Sequence, residues 1–368
     1  MPTENMQSQS RIARLVGFLK NDPDNLSLLR ELADLQIASG GYQDAREMLQ
    51  RALKLEPTNL AIRFRMADID IAMGNLGAAE AALHKLESDG CTSPAIAHNL
   101  AFVDISRGNY QAALRILLAQ PLHATLPENI ALQLHCLHQL GDIDGALHEV
   151  EKALQHWSND ARLLGWASLL QLDANHISEA RKYAALYAQQ PVETVEGLIC
   201  CGTLALADRD PNAAENLFQR AIERSPSQGR AWSGLATAYL LNEKFAASQK
   251  AFKRAVTLMP DHVGTWLTKG WCEIVSGDLT QAETDFQAAL MLDRNFAESH
   301  GSLAVVLVLQ HKKDAAQTSL ELALRLNRKC LSAQFAASLL SRQIHDVESC
   351  RQFVKKLLQE NGGLVIKS

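Results

Sequence analysis

Residues 229–262 read GRAWSGLATAYLLNEKFAASQKAFKRAVTLMPDH, and this stretch decides the fold. Trp232, Leu235, Ala236 and Tyr239 share one helix face, because side chains three and four apart lie above one another. Ser248, Phe252 and Ala255, at relative positions 0, 4 and 7, form a second such stripe. Asn242-Glu243-Lys244 separates the stripes, and Pro260 stops the second helix. Two short amphipathic helices joined by a tight turn follow. Neither is long enough to be stable alone, so their apolar faces must meet.

The same grid runs through the chain. Small residues stand at Ala45, Ala79, Ala113, Ala146, Ala180, Ala214, Ser248, Ala282, Ala316 and Cys350, every step being 34 residues except one of 33. Four residues on come Leu49, Leu83, Leu117, Val150, Ala184, Phe218, Phe252, Phe286, Leu320 and Val354. Turns such as Gly40-Gly41, Gly74-Asn75, Gly108-Asn109, Gly141-Asp142 and Gly277-Asp278 end the first helix of a unit, glycine supplying a left-handed cap. Self-similarity at this period means stacked helical hairpins.

The pattern resembles the tetratricopeptide repeat family, whose unit carries W-x2-L-G-x2-Y, then A-x3-F-x2-A, then P, over about 34 residues. The resemblance covers residues 26 to 360, with ten units beginning at Leu26, Leu60, Pro94, Pro127, Ala161, Val195, Gly229, Val263, Ala297 and Leu331. It implies an all-α fold, a right-handed superhelical solenoid of antiparallel helix hairpins. The expected divisions are an N-terminal segment 1–25, units one to three over 26–126, units four to ten over 127–362, and a short apolar tail 363–368.

Some segments depart from the pattern. Ser10 to Asn21 reads as an orphan helix carrying Ile12, Leu15, Val16, Phe18 and Leu19. The loop Pro121 to Pro127 interrupts unit three and predicts a change of direction. Unit ten has Ile344-His345-Asp346 where a turn glycine is expected. The last helix brings Phe353, Val354, Leu357 and Leu358, and Gly362-Gly363 precedes Leu364-Val365-Ile366. Orphan helix and tail together predict weakly capped ends and a homodimer through the terminal units.

The 368 residues are 47% hydrophobic, 21% charged and only 5% aromatic, with net charge -5. The acidic balance argues against nucleic-acid and anionic-membrane partners. The first residues lack the basic and apolar regions of a secretion signal, so the expected location is cytoplasmic. Seven scattered cysteines read as buried thiols of a reducing compartment rather than a disulfide framework.

Nucleotide-binding glycine loops, H-E-x-x-H and G-x-S-x-G are all absent from the sequence, so no enzyme, cofactor or metal is expected. His135-Cys136-x-His138 could offer two ligands where a structural metal site needs about four, and it reads as groove lining. Lys244, Lys250, Lys253 and Arg254 read as a solvated face, having no stacking aromatics among them.

The resemblance assigns the inner, partner-facing surface to the second, fifth, ninth and twelfth residues of each unit. In units one to four these include Arg30, Asp34, Phe64, Asp68, His98, Phe102, Glu128, His135 and His138. In units six to ten they include Ile199, Leu206, Leu240, Leu267, Trp271, Ile274, Val305, Val308, Phe335 and Leu339. The second row is apolar: it is either an exposed binding stripe or core covered by neighbouring helices. The family's clamp for a chaperone's acidic tail needs Lys and Asn at set places. Units one to three offer Arg30, Asp34, Arg65, Ala95 and Asn99, and units seven to nine Ser233, Thr237, Thr268, Glu298 and Ser302, so neither set matches.

The function expected is a non-catalytic scaffold that takes a partner's peptide or helix, with apolar anchors, into its concave groove. Two alternatives share that groove: a bacterial chaperone for a secreted or assembling apolar protein, and a regulatory subunit of an enzyme such as a glycosyltransferase.

Overall fold

The computed structural model describes residues 2–119, 126–341 and 347–360, which form helices joined by short turns, with no strand among the described residues. The chain divides into two compact units, 1–156 and 157–368. Unit 1 opens with α1 (Pro2–Asn21). Four pairs follow: α2 (Leu26–Ala38) with α3 (Tyr42–Leu55), α4 (Leu60–Ala72) with α5 (Leu76–Ser88), α6 (Pro94–Ser106) with α7 (Tyr110–Leu118), and α8 (Pro127–Gln139) with α9 (Ile143–Leu154). Unit 2 begins with α10 (Ala161–Asp173) on α11 (Ile177–Tyr187) and α12 (Val195–Ala207) on α13 (Pro211–Arg224). Next come α14 (Gly229–Leu241) on α15 (Phe245–Leu258), α16 (Val263–Ser276) on α17 (Leu279–Leu292), and α18 (Ala297–Leu309) on α19 (Lys313–Leu326). The unit closes with α20 (Leu331–Leu340) and α21 (Val347–Glu360).

The first helix of every pair starts at the residue expected from the grid. The small grid residues explain why the pairs form: Ala45, Ala79, Ala113, Ala146, Ala180, Ala214, Ser248, Ala282 and Ala316 have no exposed surface, so two backbones approach closely there. Where the small residue is polar it finds a partner, Ser248 Oγ donating to Ala236 O at 2.8 Å. Helix starts are capped by short polar side chains: Asn25 accepts from Leu28 N and Asn59 from Ile62 N, each at 3.1 Å.

The turns differ between the units. In unit 1 the left-handed residue is Gly40, Gly74, Gly108 or Gly141, as expected. Among the described residues of unit 2 only Gly277 follows that rule, while Asn175, Arg209, Glu243 and His311 hold φ between 59° and 65°. A side chain in that region costs about 1–2 kcal/mol. The buried hairpins on either side hold these turns in place.

Two expectations need adjustment. The orphan helix extends back to Pro2, and Leu15 and Leu19 are buried against Leu29 and Leu32 of α2, leaving Phe18 exposed. The tenth pair departs further: α21 forms on the grid, yet it packs against α16 and does not line α20 as α19 lines α18. The interruption at 121–125, the turn at 344–346, the Leu358 side chain and the tail 363–368 lie outside the described residues.

The core of unit 2 also encloses charge. Lys269 Nζ lies 2.5 Å from Asp285 and 3.6 Å from Glu273, all three buried. Gln281 Nε2 donates to the other Asp285 oxygen at 2.9 Å, completing the shell that a buried carboxylate requires. Burial pushes the Asp285 carboxyl above its usual range, and Lys269 opposes that shift.

Candidate partner-binding faces

In unit 1 the predicted row stays partly open and is tied together by polar contacts between successive first helices. Arg65 on α4 pairs with Asp34 on α2 at 3.3 Å and reaches Asp68 at 3.8 Å. Asn99 on α6 donates to Asp68 Oδ1 at 2.6 Å. Burial raises the Asp68 carboxyl, while the Asn99 hydrogen bond and Arg65 act the other way. Asn129 on α8 donates to Pro94 O at 3.2 Å, so its carbonyl oxygen is left to accept from His98 Nδ1 at 2.9 Å. Phe64 is half-buried and Phe102 is 40% exposed. Arg30 and Asp34 are exposed, and Glu128 is half-buried.

His135 and His138 are half-buried on α8, with Tyr110 standing edge-on to His135 at 5.9 Å. Burial, with the neighbouring His138, holds the His135 pKa below its usual value. Cys136 between them is buried and its thiol is pushed up to about 11, which suits it to packing rather than to binding a metal as thiolate. Among the described residues no group of three or more His, Cys, Asp or Glu is placed to hold a metal ion.

In unit 2 the predicted row is covered. Ile199, Leu206, Leu240, Leu267, Trp271, Ile274, Val305, Phe335 and Leu339 are all buried, and Val308 is half-buried. Small hydroxyl residues let the first helices approach: Trp271 Nε1 donates to Ser302 Oγ at 3.1 Å, and Ser302 in turn to Ser332 at 3.3 Å. Leu267 and Val305 have no exposed surface and belong to the interior between helices. Leu240, Trp271, Phe335 and Leu339 share one apolar cluster with Cys350, Val354 and Leu357 of α21.

Over Trp271 and Phe335 the cover is a helix. Phe353 of α21 stacks flat on Phe335, centroids 4.0 Å apart and planes 2° apart, and its ring lies 5.2 Å from that of Trp271. At the rim Lys355 pairs with Glu243 at 2.5 Å, and the Arg351 guanidinium lies 5.3 Å from the Phe245 ring centroid. This is the geometry of an amphipathic helix held by spaced apolar anchors, with charged groups outside. The anchors Phe353, Val354 and Lys355 were absent from the expected site. Their spacing marks an apolar helix face, but it does not say which surface that face meets.

Models of the tetratricopeptide repeat match residues 36–90, 202–263 and 234–300. The chain is 25% identical over 145 residues to the Caenorhabditis elegans tetratricopeptide repeat-containing protein trd-1. It is 27% identical over 161 residues to superkiller protein 3 of Schizosaccharomyces pombe. The matched stretches are 39% and 44% of this chain but only 19% and 10% of those relatives. Among solved structures the human IFIT1 dimer with PPP-AAAA is similar in fold. Its TM-score is 0.52 at 18% identity, over 97% of this chain and 92% of that one.

Proposed function

We propose that this chain, whose residues 36–90 and 202–300 match models of the tetratricopeptide repeat, is a non-catalytic scaffold whose unit 2 grips an amphipathic helix of a partner protein along its first-helix face. Repeats of this kind present stacked hairpins as an extended interaction surface. One observation carries the reading for unit 2: a helix already lies on that face, with Phe353 between Trp271 and Phe335. Aromatic anchors in desolvated pockets supply most of the binding energy at interfaces, and Trp271 is 1% exposed. The net charge of -5 favours a protein over a polyanion as partner, and Arg65, beside the unit 1 row, is engaged by Asp34 and Asp68.

Affinity purification with the full chain, with Phe335→Glu and with Phe102→Glu, side by side, tests this. A protein retained by the wild type and by Phe102→Glu but lost from Phe335→Glu supports the site in unit 2. Retention by Phe335→Glu together with loss from Phe102→Glu would move the site to unit 1. Far-ultraviolet circular dichroism on each variant separates lost capture from lost fold.

A further inference from the structure

Resting on that reading, we propose that α21 is a built-in competitor for the unit 2 face: it occupies the face until a partner helix of the same chemistry replaces it, and the released α21 then closes on α20 as the tenth hairpin.

The sequence of α21 fits both seats. It starts at Val347, 34 residues after the start of α19, and Cys350, Val354 and Leu357 repeat Ala316, Leu320 and Ala323. Those three positions of α19 are buried in its hairpin with α18. In α21 the same three positions are equally buried, but the helix packs on α16 and sets Phe353 against Trp271 and Phe335. One apolar face thus has two candidate surfaces, and discrete alternatives of this kind are what a two-state element requires.

Phe353 marks the difference between the seats. At its place on the grid the three preceding hairpins carry Ala251, Asp285 and Ser319, so a second helix paired with its own first helix does not need an aromatic there. In α21 that residue makes the ring stack with Phe335 and the contact with Trp271. Lys355 adds the rim pair with Glu243. The displacing partner is therefore a helix with a small residue at i, an aromatic at i+3, a branched aliphatic at i+4, a base at i+5 and leucine at i+7.

The probe is a labelled synthetic peptide of residues 346–360 with Cys350→Ser, titrated into the full chain and into full-length Phe353→Glu. A carboxylate at that position is expelled from between two aromatic rings, which frees the face for the peptide. The peptide should bind Phe353→Glu at least about tenfold more tightly than it binds the wild type. Equal affinity for both chains overturns the competitor while leaving the unit 2 site standing. Binding to neither, with tryptophan emission and helicity intact, overturns the site as well. Should Phe353→Glu fail to fold, Phe353→Ala takes its place in the same comparison.

A second measurement reads the new seat. Ser338 of α20 occupies the grid place that Ala236 holds opposite Ser248 in the seventh hairpin, where the two residues touch. In full-length Ser338→Cys, the disulfide to native Cys350, formed with oxidised glutathione and mapped by mass spectrometry, should increase as peptide is added. An unchanged yield overturns the re-seating. A wild-type chain that is dimeric by light scattering, and monomeric as Phe353→Glu, would overturn the arrangement within one chain by showing that copies exchange α21.

Discussion

The first helices of unit 1 keep their inner row half-open and join it by Arg65, Asp68, Asn99 and Asn129, whereas those of unit 2 bury an apolar row, with α21 over its Trp271 and Phe335. Both are built on one grid, so the contrast lies in what fills the shared positions. The large grid residues of unit 1 are Leu49, Leu83, Leu117 and Val150; those of unit 2 include Phe218, Phe252 and Phe286. Phe218 and Phe286 each have glycine opposite the ring. A Cβ on Gly270 would come within 2.5 Å of the Phe286 ring, and one on Gly234 within 2.3 Å of Phe218. Aromatic grid residues facing glycine draw the helices of unit 2 into a continuous core, and an apolar row that close to the core attracts a cover. A polar row stays wet because its members already satisfy one another.

The comparison breaks most visibly at the matched positions Phe286 and Leu83. Phe286→Ala should cost about 3–5 kcal/mol. All five tryptophans, at 157, 166, 232, 266 and 271, lie in unit 2, so denaturation followed by their emission should show that loss directly. Leu83→Ala should cost about 2–5 kcal/mol in far-ultraviolet circular dichroism, with little movement of the emission midpoint. If emission registers Leu83→Ala as fully as Phe286→Ala, the division into two units fails.

The turns give a smaller, signed test. Gly74→Ala should destabilise unit 1 by about 1 kcal/mol, since alanine must take φ of 77° there. Arg209→Gly in unit 2 releases the same strain and should stabilise by up to about 1 kcal/mol, once the greater freedom of glycine in the unfolded chain is subtracted. Melting temperatures of both variants decide it, and a loss from Arg209→Gly would show that the side chain contributes more than its backbone strain costs.

The finest effect is in the pH profile. His262 caps α16 by accepting from Thr265 N at 3.1 Å, and burial, with Arg230 nearby, lowers its pKa from 6.5. Its folded pKa lies below the unfolded one, so its stabilisation is complete above about pH 6.5 and is lost as pH falls through the depressed value. Stability followed by tryptophan emission should therefore decline between pH 7 and 5.5, by at most about 1.4 kcal/mol per pH unit from this group. His262→Asn keeps a capping acceptor without the titration and should flatten that slope. His135, also lowered by burial, acts on unit 1 and should leave the emission slope unchanged.

Much of this was legible in the residues. The 0, 4, 7 spacing and the 34-residue step located ten first-helix starts because helix periodicity and turn chemistry are local. The turns at Asn175, Arg209, Glu243 and His311 were less legible, since a left-handed residue without glycine leaves no composition signal. The site was half-legible. Leu240, Trp271 and Phe335 stood out as an apolar row, but an exposed stripe and a covered one have the same sequence. Phe353 gave a usable signal, an aromatic where neighbouring units carry Ala251, Asp285 and Ser319.

By itself the sequence determined that the chain is a run of helical hairpins, where each begins, and which faces must leave water. The tertiary structure decided what covers them: α21 does not line α20 as α19 lines α18, but packs on α16 with Phe353 against Trp271 and the Phe335 ring of α20. The reason is physical. Apolar burial is non-directional, so a pattern of side chains fixes that a face will be buried, while the choice of partner surface rests on ring stacking and rim charges brought together only by the folded chain.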